Sequence, residues 1–250
     1  TKSRPTRSSA APPATATRAE PGAPPTVIRI DTMPSEFALI RRHFTRPARH
    51  TDLAVGDDAA LIRPAPGMQL AISTDMLVAG THFFADTDPE GLGWKTLAVN
   101  VSDIAAMGAQ PRWVVLAASL PAADEAWIEA FARGFFACCE AFGIDAIGGD
   151  TTRGPLNLCP TIFGEVPIGQ AITRSGARPG DDLWVSGAPG RAALGLAHLQ
   201  GRTTLAAPHL DDCLAALHRP QPRVALGLAL RGIASRSEER RVGKECRSRW

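Results

Sequence analysis

The sequence predicts an α/β or α+β protein, in which short strands alternate with longer helices. Three observations support this class. Four apolar runs have the length and composition of strands, and two longer segments between them carry apolar residues at helical spacing and stop at a glycine. The overall composition, with 44% hydrophobic and 21% charged residues, is that of an ordinary globular protein.

The expected elements follow one another along the chain. A short helix is expected at 35–44, where apolar residues recur at helical spacing and Ser35 can cap the first turn. Strands are expected at 68–73, 113–120, 145–148 and 157–166, and helices at 92–107 and 124–142, before Gly108 and Gly143. A Gly- and Pro-rich stretch at 169–180 then marks a domain junction, followed by a strand at 182–186 and another helix after 190.

Charge and hydropathy exclude several classes of protein. Residues 33–235 hold 16 basic and 20 acidic residues and a single lysine, Lys95, so a nucleic-acid-binding surface is not expected. No run approaches the roughly 18 to 20 apolar residues that span a bilayer, and the first thirty residues lack the apolar centre of a secretory signal. We therefore expect a cytoplasmic protein without membrane or nucleic-acid partners.

Both ends of the chain differ from the middle. Residues 1–32 are rich in Pro, Ala, Ser and Thr and are expected to be disordered. Met33 directly precedes the first amphipathic segment, which suggests that translation starts there, although an Arg-rich leader is also compatible with a transit peptide. The tail at 236–250 breaks abruptly from the Ala- and Leu-rich segment before it, and it resembles the translated read-through of a sequencing adapter.

The cysteines do not predict a metal site. Cys138, Cys139, Cys159 and Cys213 remain when Cys246 is assigned to the tail, and none of them forms a C-x-x-C pair. Buried, reduced thiols are therefore expected, and a zinc site is not.

Carboxylates stand at or near the ends of four apolar segments. They are Asp58 after Gly56 and Asp57, Asp75 after Ser73 and Thr74, Asp103 within an expected helix, and Asp150 after two glycines. Taken singly, such residues are usually turn or cap residues, but the apolar neighbours of Asp103 predict its burial. Oxygen ligands without clustered Cys or His are what Mg²⁺ prefers, and Mg²⁺ usually binds together with substrate phosphates. The pattern therefore indicates phosphoryl transfer.

The sequence offers fewer candidate phosphate contacts than candidate metal ligands. The chain has neither a P-loop nor a convincing dinucleotide fingerprint. Gly149 could let the backbone approach a nucleotide phosphate, and Arg174, in a Gly-rich loop, either clamps phosphate or is simply solvated. His82 stands beside two phenylalanines and has two equal interpretations: a packed histidine hydrogen-bonded to backbone, or a contact to a substrate phosphate or ring.

Five blocks together carry a family resemblance. They are VGDDAALI (55–62), LAISTDMLVAGTHF (70–83), KTLAVNVSDIAAMGAQP (95–111), AIGGDTTRGP (146–155) and AITRSGARPGD (171–181). In this order and spacing they resemble thiamine-monophosphate kinase, a family in the superfamily of aminoimidazole-ribonucleotide synthetase and selenophosphate synthetase. The resemblance runs from about residue 35 to residue 231.

The resemblance implies a function and a set of site residues. The implied activity is ATP-dependent phosphorylation of thiamine monophosphate to thiamine diphosphate by direct in-line transfer, with several Mg²⁺ ions, in a homodimer. The implied metal ligands are Asp58, Ser73, Thr74, Asp75, Asp103 and Asp150; the implied nucleotide contacts are Gly149, Asp150 and Arg174; and His82 is the implied contact to thiamine monophosphate. No catalytic residue beyond the metal ligands is implied.

The resemblance also implies a domain plan. Residues 33–167 correspond to a metal- and ATP-binding domain with a mixed sheet and flanking helices, and 168–235 to the start of an α/β C-terminal domain. The family continues with an acidic motif of the form D-L-S-D-G-L, whereas this chain passes from RGIAS into the tail at 236–250. We therefore expect a C-terminally truncated and inactive polypeptide, with an unpartnered apolar face on the helix after residue 190.

Two other functions stay open. The first is another ATP-using synthetase of the superfamily; the lack of an N-terminal catalytic Cys argues against selenophosphate synthesis, and the TTRG context argues against aminoimidazole-ribonucleotide synthesis. The second is a non-catalytic nucleotide-binding or dimerisation fragment.

Overall fold

A mixed β-sheet is the centre of the structure. The computed structural model describes residues 36–239, and the expectations for residues 1–32, Ser35 and 240–250 lie outside them. The sheet is built on strands β3 (Met68–Thr74), β5 (Gln110–Leu120), β6 (Asp145–Arg153) and β7 (Asn157–Pro167), in the order β3-β7-β5-β6. The short strand β4 (Leu77–Val78) also pairs with β7, and β1 (Thr51–Leu53) and β2 (Leu61–Ile62) form a separate ribbon.

The strand directions place three carboxyl ends together. β7 is antiparallel to both β3 and β5, and β5 is parallel to β6. β3, β5 and β6 therefore run the same way, and each ends at the same end of the sheet. The four strands predicted from the apolar runs are confirmed, and β5 and β6 are longer than predicted.

Two long helices pack beside the sheet, and their ends follow capping rules. Helix α2 (Pro89–Ala106) begins after Asp88, whose Oδ2 accepts the backbone N–H of Gly91 at 2.6 Å. Helix α3 (Glu125–Phe142) begins after Asp124 and ends at Gly143, where φ is 65°. Both predicted helices are confirmed; α2 starts three residues before the predicted position because Asp88 caps it and Pro89 suits its first turn.

Glycines let these two helices touch backbone to backbone. A Cβ on Gly134 of α3 would lie 1.8 Å from the carbonyl oxygen of Glu90, and a Cβ on Gly93 of α2 would lie 2.1 Å from that of Phe131. No larger residue fits either position without moving a helix. The core around this contact contains Leu92, Leu97, Val101, Ile104, Val114, Phe131, Phe135, Leu158 and Ile162.

The remaining helices follow the sheet domain. They are α1 (Glu36–Leu39), which continues into a π-helical turn at Ile40–Phe44, and α4 (Arg191–Leu199), α5 (His209–His218) and α6 (Val224–Ala229). α6 packs on α2, where a Cβ on Gly227 would lie 2.0 Å from the carbonyl oxygen of Ala105. The indole N–H of Trp94 on α2 also donates to the carbonyl oxygen of Pro220 at 2.8 Å. Among the described residues, no helix has both the length and the hydropathy needed to cross a bilayer.

One predicted element is absent. The strand predicted at 182–186 is wrong, because this segment has no regular structure and its Leu183, Trp184 and Val185 are 93%, 86% and 63% exposed. A strand needs a neighbouring strand edge to satisfy its backbone groups, and in the described part of the chain this segment pairs with none. The helix predicted after residue 190 is confirmed as α4.

Candidate functional site

A pocket of about 490 Å³ lies between β3 and α2. Its walls come from four parts of the chain: the end of β3, the last turns of α2, the loop after β7 and the segment that follows α6. The predicted site residues Ser73, Thr74, Asp75, Asp103 and Arg174 all line it. The structure therefore brings together five residues of which the first and the last are 101 positions apart in the sequence.

A hydrogen bond joins the two main walls of the pocket. The Ser73 hydroxyl on β3 donates to Oδ2 of Asp103 on α2 at 2.7 Å. Asp103 can occupy this helix position because β3 supplies a polar partner for a carboxylate whose neighbours Val101 and Ile104 are fully buried. Each end of the bond is fixed by its own element, so the Asp103 carboxylate is held in one orientation.

The neighbouring oxygen atoms are also tied to the sheet. The Thr74 hydroxyl contacts the hydroxyl of Thr161 on β7, and the Asp75 backbone N–H donates to the carbonyl oxygen of Pro160 at 3.4 Å. Asp75 follows the last residue of β3, where the chain leaves the sheet. Two hydroxyls and one carboxylate therefore follow one another at the end of β3, and the Asp103 carboxylate meets them from α2.

This set of donors fits a magnesium ion that is shared with a substrate. No three Asp, Glu, His or Cys side chains between residues 38 and 239 are arranged to hold a metal ion by themselves. Mg²⁺ is usually bound by one or two carboxylates together with water and substrate phosphates, rather than in an all-protein cage. Asp75 and Asp103 supply the two carboxylates of such a site, and the hydroxyls of Ser73 and Thr74 lie beside them.

The other predicted metal ligands lie outside the pocket lining. Asp58 is exposed in the loop between β1 and β2, and Asp150 is exposed on β6. Strand β6 is three positions from β3 in the sheet, which at roughly 4.8 Å per strand separates them by about 14 Å. Asp150 and Asp75 nevertheless share the end of the sheet to which β3 and β6 run.

Gly149 has a structural reason for being glycine. A Cβ there would lie 2.0 Å from the carbonyl oxygen of Leu116, because β6 approaches β5 closely beside a register shift at Val114 and Val115. This contact accounts for the residue type with or without a nucleotide.

His82 combines features of both interpretations. Its Nδ1 accepts the backbone N–H of Val78 at 3.0 Å, as expected for a histidine that is hydrogen-bonded to backbone. Its side chain is nevertheless exposed, and Phe83 beside it is buried. The ring is therefore fixed at one nitrogen and accessible to a ligand.

Sequence reasoning missed part of the pocket wall. Thr173, Met107 and residues 237–239 also line the pocket. The backbone N–H of Ser237 donates to the carbonyl oxygen of Thr173 at 3.2 Å, and the Ser235 hydroxyl donates to Oδ2 of Asp181 at 2.5 Å. Thr173 adjoins Arg174 in one of the five blocks, whereas residues 237–239 belong to the segment that the sequence assigned to the tail, so there was no reason to expect them in the pocket.

Three of the four cysteines are buried as predicted, and Cys159 is only partly buried. Cys138, Cys139, Cys159 and Cys213 are all free. Burial raises the pKa of Cys138 and of Cys139 well above the ordinary range for a thiol. These two are inert core residues, not nucleophiles.

Comparison with known proteins defines the class first. Residues 56–166, which include β2 to β6 and most of β7, match the family model described as "AIR synthase related protein, N-terminal domain". Hydrogenase maturation protein HypE has the same fold, with a TM-score of 0.60 at 23% identity. Residues 56–166 therefore correspond to the N-terminal domain of the AIR synthase related proteins.

The nearer relatives define the branch. The thiamine-monophosphate kinase of Escherichia coli K12 is 50% identical over 204 residues, which are 80% of this chain and 63% of that protein. A crystal structure of the Stenotrophomonas maltophilia K279a enzyme matches with a TM-score of 0.73 and 48% identity, over 81% of this chain and 66% of that one. A structure described as AaThiL complexed with AMPPCP and TMP matches with a TM-score of 0.64 and 29% identity, over 73% of this chain and 59% of that one. Within this class, the chain is similar to thiamine-monophosphate kinases, and it spans less than two thirds of the length of these relatives.

Proposed function

We propose that this chain is the metal- and ATP-binding part of an enzyme that transfers the γ-phosphoryl group of ATP to thiamine monophosphate. The product is thiamine diphosphate. The proposal rests on one observation above all: the Ser73–Asp103 pair meets Thr74, Asp75 and Arg174 in a single pocket. The identity to thiamine-monophosphate kinases over 204 residues supports the choice of acceptor.

The pocket suits a reaction between two anions. Bound Mg²⁺ would reduce the repulsion between the phosphates of ATP and thiamine monophosphate, and Asp75, Asp103, Ser73 and Thr74 are the residues proposed to hold it. The Ser73 hydroxyl keeps the Asp103 carboxylate oriented before any ligand arrives. Arg174 is exposed at the rim, where its guanidinium can pair with a phosphate through two parallel hydrogen bonds.

The remaining predicted residues would act at a distance from this pair. A single ion cannot touch both β3 and β6 across about 14 Å, so we assign Asp150 and Gly149 to another part of the nucleotide and its ions. Asp58 would approach from the loop between β1 and β2. His82, on the loop after β4, is the proposed contact to thiamine monophosphate.

The assembly and the domain plan belong to the same proposal. We infer a homodimer, supported by the edge position of β3 in its sheet and by Ile72 and Met76, which are 59% and 54% exposed there. We also infer a cytoplasmic enzyme whose metal- and ATP-binding domain comprises residues 33–167 and whose next domain begins at 168. Because the chain spans 63% of its Escherichia coli relative, we expect turnover only after the remaining part is supplied.

The experiment joins the C-terminal third of the Escherichia coli relative after Ser235 and measures thiamine diphosphate formation from thiamine monophosphate, ATP and Mg²⁺. Asp75→Ala should lower turnover by roughly 100-fold or more, as removal of a key electrostatic group does in other enzymes. Asp52→Ala is the matched control, because Asp52 is an exposed β1 residue that pairs with Arg63 at 3.1 Å outside the pocket. Its turnover should equal that of the unaltered protein.

Each outcome selects one function. Product that is lost only in Asp75→Ala supports the kinase. A folded dimer that binds ATP but forms no product from thiamine monophosphate would contradict the acceptor and favour another synthetase chemistry of the superfamily. Metal-dependent ATP binding without turnover on any acceptor would favour the non-catalytic fragment.

A further inference from the structure

The loop after β4 is closed by its own histidine. β4 ends at Val78, and the backbone N–H groups of Thr81 and His82 both donate to the Val78 carbonyl oxygen, at 3.1 and 2.9 Å. Gly80, with a φ of 76°, turns the chain and donates to the carbonyl oxygen of Phe83 at 2.8 Å. The His82 ring then folds back toward the same residue, and its Nδ1 accepts the backbone N–H of Val78 at 3.0 Å.

This hydrogen bond determines the tautomer of the ring. A backbone N–H can only donate, so Nδ1 of His82 must be the unprotonated nitrogen. In the neutral imidazole the proton is then on Nε2. Because the side chain is exposed, His82 offers one fixed N–H donor to anything that binds above the loop.

A lysine on α2 contacts the same loop. Lys95 is on the second turn of α2, and its Nζ lies 3.5 Å from the carbonyl oxygen of His82. None of the ion pairs within residues 38–239 includes Lys95. Burial lowers the pKa of Lys95. The pKa of nearby His218 is also lowered, first by burial and then by the positive charge of Lys95. Within the described residues, this half-buried ammonium group has no carboxylate within ion-pair distance, and its hydrogen bond goes to the loop carbonyl of His82.

We propose that Lys95 is a positioning residue that holds the 79–83 loop so that His82, as its Nε2–H tautomer, donates a hydrogen bond to a phosphoryl oxygen of the acceptor substrate. This inference rests on the proposed function, because it concerns the residue assigned to thiamine monophosphate. Phosphoryl oxygens accept hydrogen bonds, so a donor-only face on His82 is complementary to them. Lys95 does not need to touch the substrate, since it acts through the peptide carbonyl of His82.

The tautomer can be measured without substrate. The 250-residue chain is labelled with ¹⁵N-histidine, and His82→Gln identifies the two ring-nitrogen resonances of residue 82. We expect the unprotonated shift at Nδ1 and the protonated shift at Nε2. Lys95→Met keeps the side-chain length but removes the ammonium group, and it should move both shifts toward an averaged pattern, while Lys95→Arg should keep the parent pattern. A protonated Nδ1, or averaged shifts in the unaltered chain, would overturn the proposal.

The positioning role is tested in the protein with the C-terminal third supplied. Lys95→Met should raise KM for thiamine monophosphate about tenfold while kcat and KM for ATP change less than threefold, and Lys95→Arg should restore most of the loss. His82→Gln can reach the position of Nε2 with an amide N–H, whereas His82→Asn can replace only Nδ1, so Gln should retain more affinity for thiamine monophosphate. Equal effects on both substrates, or a fall in Tm with unchanged KM, would assign Lys95 a purely structural role.

The two proposals fail in different ways. If the joined protein has no activity on thiamine monophosphate, the proposed function fails, while the ¹⁵N shifts of the unaltered chain and of Lys95→Met still decide whether the loop is held as described. If activity is present but the shifts report the other tautomer, this inference fails alone.

Discussion

Replacing Gly134 by Ala tests the contact between α2 and α3. In an isolated helix this change is favourable by about 1 kcal/mol, because alanine has the higher helix propensity. In the structure the new Cβ would lie 1.8 Å from the Glu90 carbonyl oxygen, and ordinary contacts begin near 3.4 Å. The helices must therefore separate by about 1.6 Å, and inserting a methyl group into a packed core costs about 1 to 3 kcal/mol, more when backbone must shift.

Because the atom that is met belongs to backbone, we expect the upper end of that range or beyond. The net loss in the free energy of unfolding should be about 3 kcal/mol, which for a chain of this size is a fall in Tm of roughly 6 to 12 °C. Urea unfolding followed by tryptophan fluorescence and by helical circular dichroism measures it. Trp94 is next to the contact on α2 and reports on this interface directly.

A control separates propensity from packing. Ala141→Gly changes an exposed position of α3 and should cost no more than about 1 kcal/mol. A Gly134→Ala protein that is as stable as the parent, or more stable, would show that the helices do not touch at this glycine and would refute the packing described here.

Two further predictions concern buried ionisable groups. The Asp145 Oδ2 accepts hydrogen bonds from the backbone N–H groups of Arg49 and His50 and from the Thr51 hydroxyl, at 2.8, 2.6 and 2.9 Å, so Asp145→Ala should lower the free energy of unfolding by about 3 kcal/mol in urea titrations. Asp145→Asn keeps one acceptor oxygen and should lose only about 1 kcal/mol; equal losses would contradict the hydrogen-bond count. Burial raises the pKa of the Cys138 and Cys139 thiols above the ordinary 9.0. Above that pH the unfolded chain loses protons that the folded chain keeps. The free energy of unfolding should therefore fall by up to about 1.4 kcal/mol per pH unit for each thiol. Replacing both by Ala should flatten this slope between pH 8 and 11, and an unchanged slope would assign it to other groups.

The local elements were readable from the sequence because local chemistry specifies them. Helix α3 ends where Gly143 adopts a left-handed conformation, and α2 stops before Gly108, as predicted; the Asp88 cap that starts α2 was not predicted. The central strands β5 and β7 could be predicted as apolar runs because both of their faces are largely covered. The segment at 182–186 has the same apolar composition, yet it forms no strand, since pairing depends on a neighbouring edge that composition does not report.

For the candidate site, too, residue types could be predicted from the sequence, whereas distances between residues could not. The sequence by itself singled out the carboxylates of Asp75 and Asp103 as candidate metal ligands, and the family resemblance added the hydroxyls of Ser73 and Thr74. Only the tertiary structure decided that Ser73 donates to Asp103 across thirty positions, that Asp150 lies on the far strand of the sheet, and that Lys95 reaches the carbonyl of His82. Residue type and local conformation depend on near neighbours along the chain, whereas these distances depend on strand order and helix packing, which only the folded chain fixes.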